Sequence, residues 1–188
     1  SNHAGTTPMR LRRDAGYAAG EMTAFARRLA SDMGGDQVAT VGAIELEPNL
    51  VNVIARRAVL TLDLRNTDEL LLREAERQAL AFAASIAKNE GLEVSHRSLA
   101  RFEPVEFDPE IVDMVRRYAR SLGYDPLTMP SGAGHDAQAF APNCPTGMIF
   151  VPSVGGISHN VREFTKPEDI EAGANVLFRM LVELAGRA

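Results

Sequence analysis

The sequence predicts an α+β domain followed by part of an α/β layer, and three observations carry that expectation. Two long segments of the first half repeat apolar residues at helical spacing, with β-branched or strictly alternating stretches between and after them. Their order is helix, strand, strand, helix, strand, which is a split βαββαβ unit lacking its first strand. The second half alternates short apolar runs with helical segments, as parallel strands with crossover helices do.

Thr7-Pro8 reads as a helix cap followed by proline at the first helical position, and Ala15, Ala18, Ala19, Met22, Phe25, Ala26, Leu29 and Met33 continue that helix to Gly34-Gly35. Gln37 to Leu46 is rich in Val, Thr and Ile and reads as a strand. A turn at Glu47-Pro48-Asn49 leads to a short extended piece from Leu50 to Ile54. In the next strand, from Ala58 to Arg65, Ala58, Leu60, Leu62 and Leu64 share one face, and Val59, Thr61, Asp63 and Arg65 the other. Asn66-Thr67-Asp68 caps a second helix through Leu71, Ala75, Ala79, Phe82, Ala83 and Ile86 to Gly91. Leu92 to Leu99 is expected to form a further strand.

Glu103 to Phe107 is the candidate linker, giving domains of residues 1–105 and 106–188. Asp108-Pro109 opens a third helix, closed by Gly123. Leu127 to Met129 reads as a short strand and Asp136 to Ala141 as a short helix. The unbroken apolar run Gly147 to Pro152 is expected to be a strand buried on both faces. Thr165-Lys166-Pro167-Glu168 reads as a capping box for the last helix.

Composition removes several classes of function. A net charge of −5 argues against nucleic acid as a partner, because phosphate binding needs a basic face. Cys144 is the single cysteine, so an internal disulfide and a multi-cysteine zinc site are both excluded. No apolar run is long enough to span a bilayer, and a soluble, cytoplasmic chain without a membrane partner is expected.

Three of the four histidines sit in glycine-flanked or turn contexts. His159 ends Val154-Gly155-Gly156-Ile157-Ser158-His159, just past an expected strand, where open α/β sheets place ligands. It is either a metal donor or a surface histidine in a turn. Ser131-Gly132-Ala133-Gly134-His135-Asp136 opens a helix and exposes backbone N–H groups that suit a carboxylate or an oxyanion. The alternative is a tight turn capped by Asp136. Its Ser, His and Asp are adjacent, whereas triad members meet from separate segments. His3 precedes the first helix and is placed to steady a developing negative charge, or else is a terminal residue without a role. Asn52 and Arg65 lie on neighbouring extended segments. A guanidinium there grips a carboxylate in two-pronged fashion, or pairs with Asp63 or Asp68.

Taken in order, Asn2-His3-Ala4-Gly5-Thr6-Thr7-Pro8-Met9, Pro48-Asn49-Leu50-Val51-Asn52-Val53, Ser131-Gly132-Ala133-Gly134-His135-Asp136-Ala137 and Val154-Gly155-Gly156-Ile157-Ser158-His159-Asn160 carry a family likeness. They resemble the C-terminal half of the hydantoinase/carbamoylase family, the N-carbamoyl-L-amino-acid hydrolases and allantoate amidohydrolases of the M20 metallopeptidase superfamily. The resemblance implies an α+β lid and dimerisation domain over residues 1–105, followed by the C-terminal segment of an α/β metallohydrolase catalytic domain over residues 106–188. It implies hydrolysis of linear carbamoyl or ureido C–N bonds in a small carboxylate substrate, by a homodimer formed through the lid.

On motif match, His159 is the last metal ligand and His3 acts across the dimer. Asn52 and Arg65 hold the substrate carboxylate, with Gly132, Gly134 and His135 at the same end of the substrate. The family uses two divalent ions (Zn, Mn, Ni or Co). Its other metal ligands and its general-base glutamate have no match in this sequence. The expectation is therefore a fragment of a longer enzyme, inactive by itself and not retaining the metals. A non-catalytic dimerisation or binding module stands as the alternative, and metal retention through His159 and His135 as a third reading.

Overall fold

In the computed structural model, which describes residues 2–187, the first helix starts later than the sequence predicts. Helix α1 spans Ala15–Met33 and is capped by Asp14, whose carboxylate accepts the Tyr17 amide at 3.0 Å. Thr7-Pro8 opens only a 3-10 turn over Met9–Leu11. The Thr7 hydroxyl donates to the His3 carbonyl at 2.8 Å, and the Thr7 amide bonds the same oxygen at 3.2 Å. Thr7 thus closes the preceding turn. The chain then runs extended so that the Ala15 amide reaches Ala55 O at 3.1 Å.

Strands β1 (Val38–Glu47) and β2 (Arg57–Arg65) form an antiparallel hairpin, with Glu47 opposite Arg57 and Val38 opposite Arg65. An irregularity between Val41 and Ala43 shifts the register, and the Ala43 amide there donates to Thr61 Oγ1 at 3.1 Å. The alternation expected for β2 is present: Ala58, Leu60, Leu62 and Leu64 are half-buried and their neighbours exposed. Helix α2 spans Glu69–Glu90, capped by the Asp68 carboxylate and ended by Gly91 at φ 64°.

Both helices cover the same face of the hairpin. Leu29, Ala75 and Ala79 form a buried cluster against Phe25, Met33, Leu62 and Leu64. Phe25 stacks on Phe82 with ring centroids 4.1 Å apart. Alanines at these positions let the helices approach closely. On α2 the expected stripe is buried at Ala75 and Ala79, but in the first turn it is Leu72 that is buried and Leu71 that is exposed.

Residues 92–99 do not form the expected strand. A split unit pairs its fourth strand with its first, and no strand precedes β1 among the described residues. Without a ladder partner the segment is irregular and mostly exposed, with Val94 and Leu99 on the surface.

This first compact unit ends at Pro104 and a second begins at Val105. Helix α3 (Pro109–Ser121) is capped by Asp108, which accepts the Glu110 and Ile111 amides. Helix α4 (Asp136–Phe140) is a single short turn of helix, and α5 spans Pro167–Ala185. Met114, Ala119, Val176 and Met180 form the core between α3 and α5.

The cap of α5 is Lys166, without a side-chain bond, so the Thr165 capping box is not formed. Proline at the first helical position fixes the cap at the residue just before it, one past Thr165.

Residues 127–129 and 147–152 are also not strands. One side of the second segment meets the helices: Cβ atoms added to Gly147 and Gly173 would lie 2.7 Å from Ile111 Cγ2 and 2.6 Å from Val151 Cγ1. Its other side is open, with Phe150 50% exposed, so the burial expected on both faces is not met. A strand buried on both faces needs a ladder partner and a helical layer on each side, and the described residues of this unit supply no ladder partner.

Two predictions arise from this unit. Gly147→Ala should destabilise it by about 1–3 kcal/mol in a denaturant titration, because Ile111, β-branched on a helix, has one favoured rotamer and cannot swing aside. The second concerns acid. The hydrogen bond from Tyr118, with the Arg187 guanidinium, holds the Glu183 carboxyl below its ordinary 4.5. A depressed folded-state value stabilises above 4.5 and is lost as pH falls through the depressed value. Melting followed by circular dichroism should drop in that window, and Glu183→Gln should reduce the drop.

Candidate functional site

Backbone pairing organises the site of the first unit. Ala4 N donates to Asn52 O at 2.8 Å and Ile54 N to Asn2 O at 2.9 Å, making an isolated antiparallel bridge between His3 and Val53. Two expected site residues distant in sequence, His3 and Asn52, therefore lie on paired segments. Both are exposed. Within the turn that follows, Gly5 N donates to His3 Nδ1 at 3.1 Å, and Arg12 donates through Nη2 to Ala4 O at 2.6 Å and through Nε to Thr7 O at 3.1 Å. A cavity of about 270 Å³ opens beside this turn, lined by Asn2, Thr7, Leu11, Arg12, Arg13 and Ile54.

Arg65 is elsewhere. It stands opposite Val38, at the end of the hairpin remote from the connection that carries Asn52. From Arg57 to Arg65 the strand advances about 26 Å at roughly 3.3 Å per residue. Its guanidinium forms a two-pronged contact with Asp63, Nε to Oδ1 at 2.9 Å and Nη2 to Oδ2 at 2.7 Å. Strand alternation puts residues 63 and 65 on one face, which makes this pairing local. The contact holds the Asp63 carboxyl below its usual range and raises Arg65 further. Within one chain, then, Asn52 and Arg65 do not reach a common small carboxylate.

In the second unit, His135 rather than Asp136 caps α4: its Nδ1 accepts the Ala137 amide at 3.0 Å. Gly132 and Gly134 are exposed, and an added Cβ on either would meet nothing within 4 Å. Neither has positive φ, so neither turn geometry nor packing within the unit calls for glycine there.

His159 does have an unusual backbone. At φ 54° it is the one described non-glycine residue in the left-handed region, following Gly155 and Gly156 at φ 67° each. Its amide donates to Glu163 Oε2 at 2.8 Å, which holds the turn, and the residue is exposed. Backbone strain of this kind clusters at ligand sites.

Among the described residues no three His, Cys, Asp or Glu side chains gather as a metal site requires. The residues present do not make a two-metal centre, and His159 is a lone donor. Among the described residues, no helix is long and apolar enough to cross a membrane.

Residues 18–183 match the model of peptidase family M20/M25/M40. The chain belongs to this family. The M20 chain is 40% identical over 185 residues to the allantoate amidohydrolase of Escherichia coli (strain K12), covering 98% of itself and 45% of that protein. It is 38% identical to the N-carbamoyl-L-amino-acid amidohydrolase of Rhizobium meliloti, covering 97% of itself and 44% of the relative. A crystal structure of a hydantoinase/carbamoylase family amidase from Burkholderia multivorans superposes with a TM-score of 0.88 at 43% identity, over 94% of this chain and 43% of that one. The M20 chain thus spans less than half the length of these relatives.

Sequence reasoning missed three contributors to these sites. Gly5 donates its backbone amide to His3, and the Arg12 guanidinium bonds the carbonyls of the same turn; contacts to backbone groups leave no partner signature in a sequence. Glu163 is four residues beyond His159, and an acidic residue after a glycine turn was a legible signal.

Proposed function

We propose that this chain is the lid and C-terminal catalytic segment of a metal-dependent amidohydrolase. Its substrates are linear carbamoyl or ureido C–N bonds in small carboxylates, such as N-carbamoyl amino acids or allantoate. The names of the M20 relatives support the bond type. The observation that carries the reading is the division of polar tools along one hairpin. His3 and Asn52 are joined at one end, and a pre-oriented guanidinium, Arg65, stands at the other.

A two-fold dimer resolves that division. In a split unit β1 is an edge strand, and edges invite pairing. Antiparallel pairing of β1 with its copy lays the Glu47 end of one chain beside the Val38 end of the other. His3 and Asn52 of one chain then approach Arg65 of its partner. In this arrangement Arg65 holds the substrate carboxylate and Asn52 orients the polar groups beside it. As the scissile carbonyl carbon becomes tetrahedral, its oxygen gains negative charge and the His3 N–H donates to it. Gly132, Gly134 and His135 line the carboxylate end of the same substrate, where absent side chains let the backbone approach.

His159 supplies one imidazole of a metal site whose remaining ligands come from the rest of the longer protein. Divalent ions there would activate water and polarise the carbonyl. This chain's own share is the ring nitrogen, presented on a left-handed turn pinned by Glu163. No observation favours the non-catalytic module. The test is metal content: His159→Ala in the complete enzyme should lose bound divalent ion by elemental analysis while remaining folded. Full retention of metal would remove His159 from the centre.

A further inference from the structure

The turn at the start of the chain fixes more than the position of His3. The Gly5 amide, which can only donate, lies 3.1 Å from His3 Nδ1. That nitrogen must therefore offer its lone pair, and a neutral imidazole then carries its single proton on Nε2. The ring presents Nε2–H to its surroundings, which is the form needed by an oxyanion donor.

The amide that selects this tautomer is held by Arg12. Its guanidinium bonds Ala4 O at 2.6 Å and Thr7 O at 3.1 Å, the carbonyls on either side of Gly5-Thr6. Thr7 closes the same turn on the His3 carbonyl through both amide and hydroxyl. Arg12 is half-buried and makes no ion pair among the described residues, so its donors serve the turn. Space is tight as well: a Cβ on Gly5 would lie 3.2 Å from His3 Cε1 and 3.5 Å from Nδ1.

We infer that Arg12 is a positioning residue. By clamping the Ala4 and Thr7 carbonyls it aims the Gly5 amide at His3 Nδ1, and so holds the imidazole as the Nε2–H donor. A lysine, a point charge on a flexible stem, cannot span two carbonyls as the planar fork does. The inference rests on the reading of His3 as oxyanion donor, and the experiment separates the two.

In the complete enzyme with 15N-labelled histidine, long-range 1H–15N spectra report the tautomer, with the His3 signal assigned by its loss in His3→Gln. The wild type should show the Nε2–H form. Arg12→Ala and Gly5→Ala should each convert it to a mixture, with Arg12→Lys between. Both variants should lower kcat by about 10- to 100-fold, the cost of misplacing a catalytic group by an ångström or less, with KM nearly constant. If Arg12→Ala does not fold, Arg12→Lys gives the same readout, since a single ammonium cannot span Ala4 O and Thr7 O, and an unchanged tautomer there overturns the inference equally. An unchanged tautomer in a folded Arg12→Ala variant overturns the inference. A changed tautomer with kcat intact upholds the clamp and overturns the catalytic role of His3.

Discussion

Replacing Arg65 with alanine in the complete enzyme should raise KM for a carboxylate substrate about 10- to 150-fold, equivalent to about 1.5–3 kcal/mol for a charged hydrogen bond. The effect is large because the guanidinium is already oriented. Asp63 holds it through two parallel bonds, so little side-chain freedom is lost when a substrate arrives. An ester or amide analogue without the carboxylate should lose this sensitivity. Steady-state kinetics on the pair of substrates decides: an equal loss on both would show that Arg65 supports the fold instead of the substrate.

The second large effect concerns His3. Removing one oxyanion donor costs about 10²- to 10³-fold in kcat, so His3→Ala should lose that much with KM little changed. The geometry adds a sharper consequence. His3 and Arg65 stand at opposite ends of the hairpin, so a two-fold site draws one from each chain. Assayed well below KM, mixing Arg65→Ala and His3→Ala subunits, each then at about a tenth of wild-type activity or less, gives heterodimers in which one of two sites has both residues intact. Random reassociation should then restore about a quarter of wild-type activity. If mixtures regain nothing while heterodimers form, both residues come from one chain and the proposed pairing of β1 edges is wrong.

Local structure was largely legible in the residues. The alternation of β2, the Asp68 cap of α2 and the Asp108-Pro109 start of α3 all follow from short-range chemistry, and the structure has them. The three missed strands share one cause. Residues 92–99, 127–129 and 147–152 carry strand patterns yet form no strands, because a ladder needs a partner and propensity does not supply one. Thr7 failed as a cap for a related reason: its hydroxyl had two uses, and closure of the His3 turn took it.

The candidate site divides the same way. Glycine-histidine spacing singled out His3, His135 and His159, and the four motifs together indicated the M20 family to which the chain belongs. Which group each histidine contacts was beyond the sequence. His135 bonds the Ala137 amide, His159 sits on a left-handed backbone, and His3 receives the Gly5 amide.

By itself the sequence determined which residue types are present and which face of a helix or strand each occupies, since those follow from periods of 3.6 and 2. Only the tertiary structure decided that Asn52 lies with His3 and not with Arg65. That outcome depends on hairpin register and on hydrogen bonds between segments some fifty residues apart. Pairing of this kind is set by the packing of α1 and α2 on the hairpin as a whole, so no local pattern encodes it.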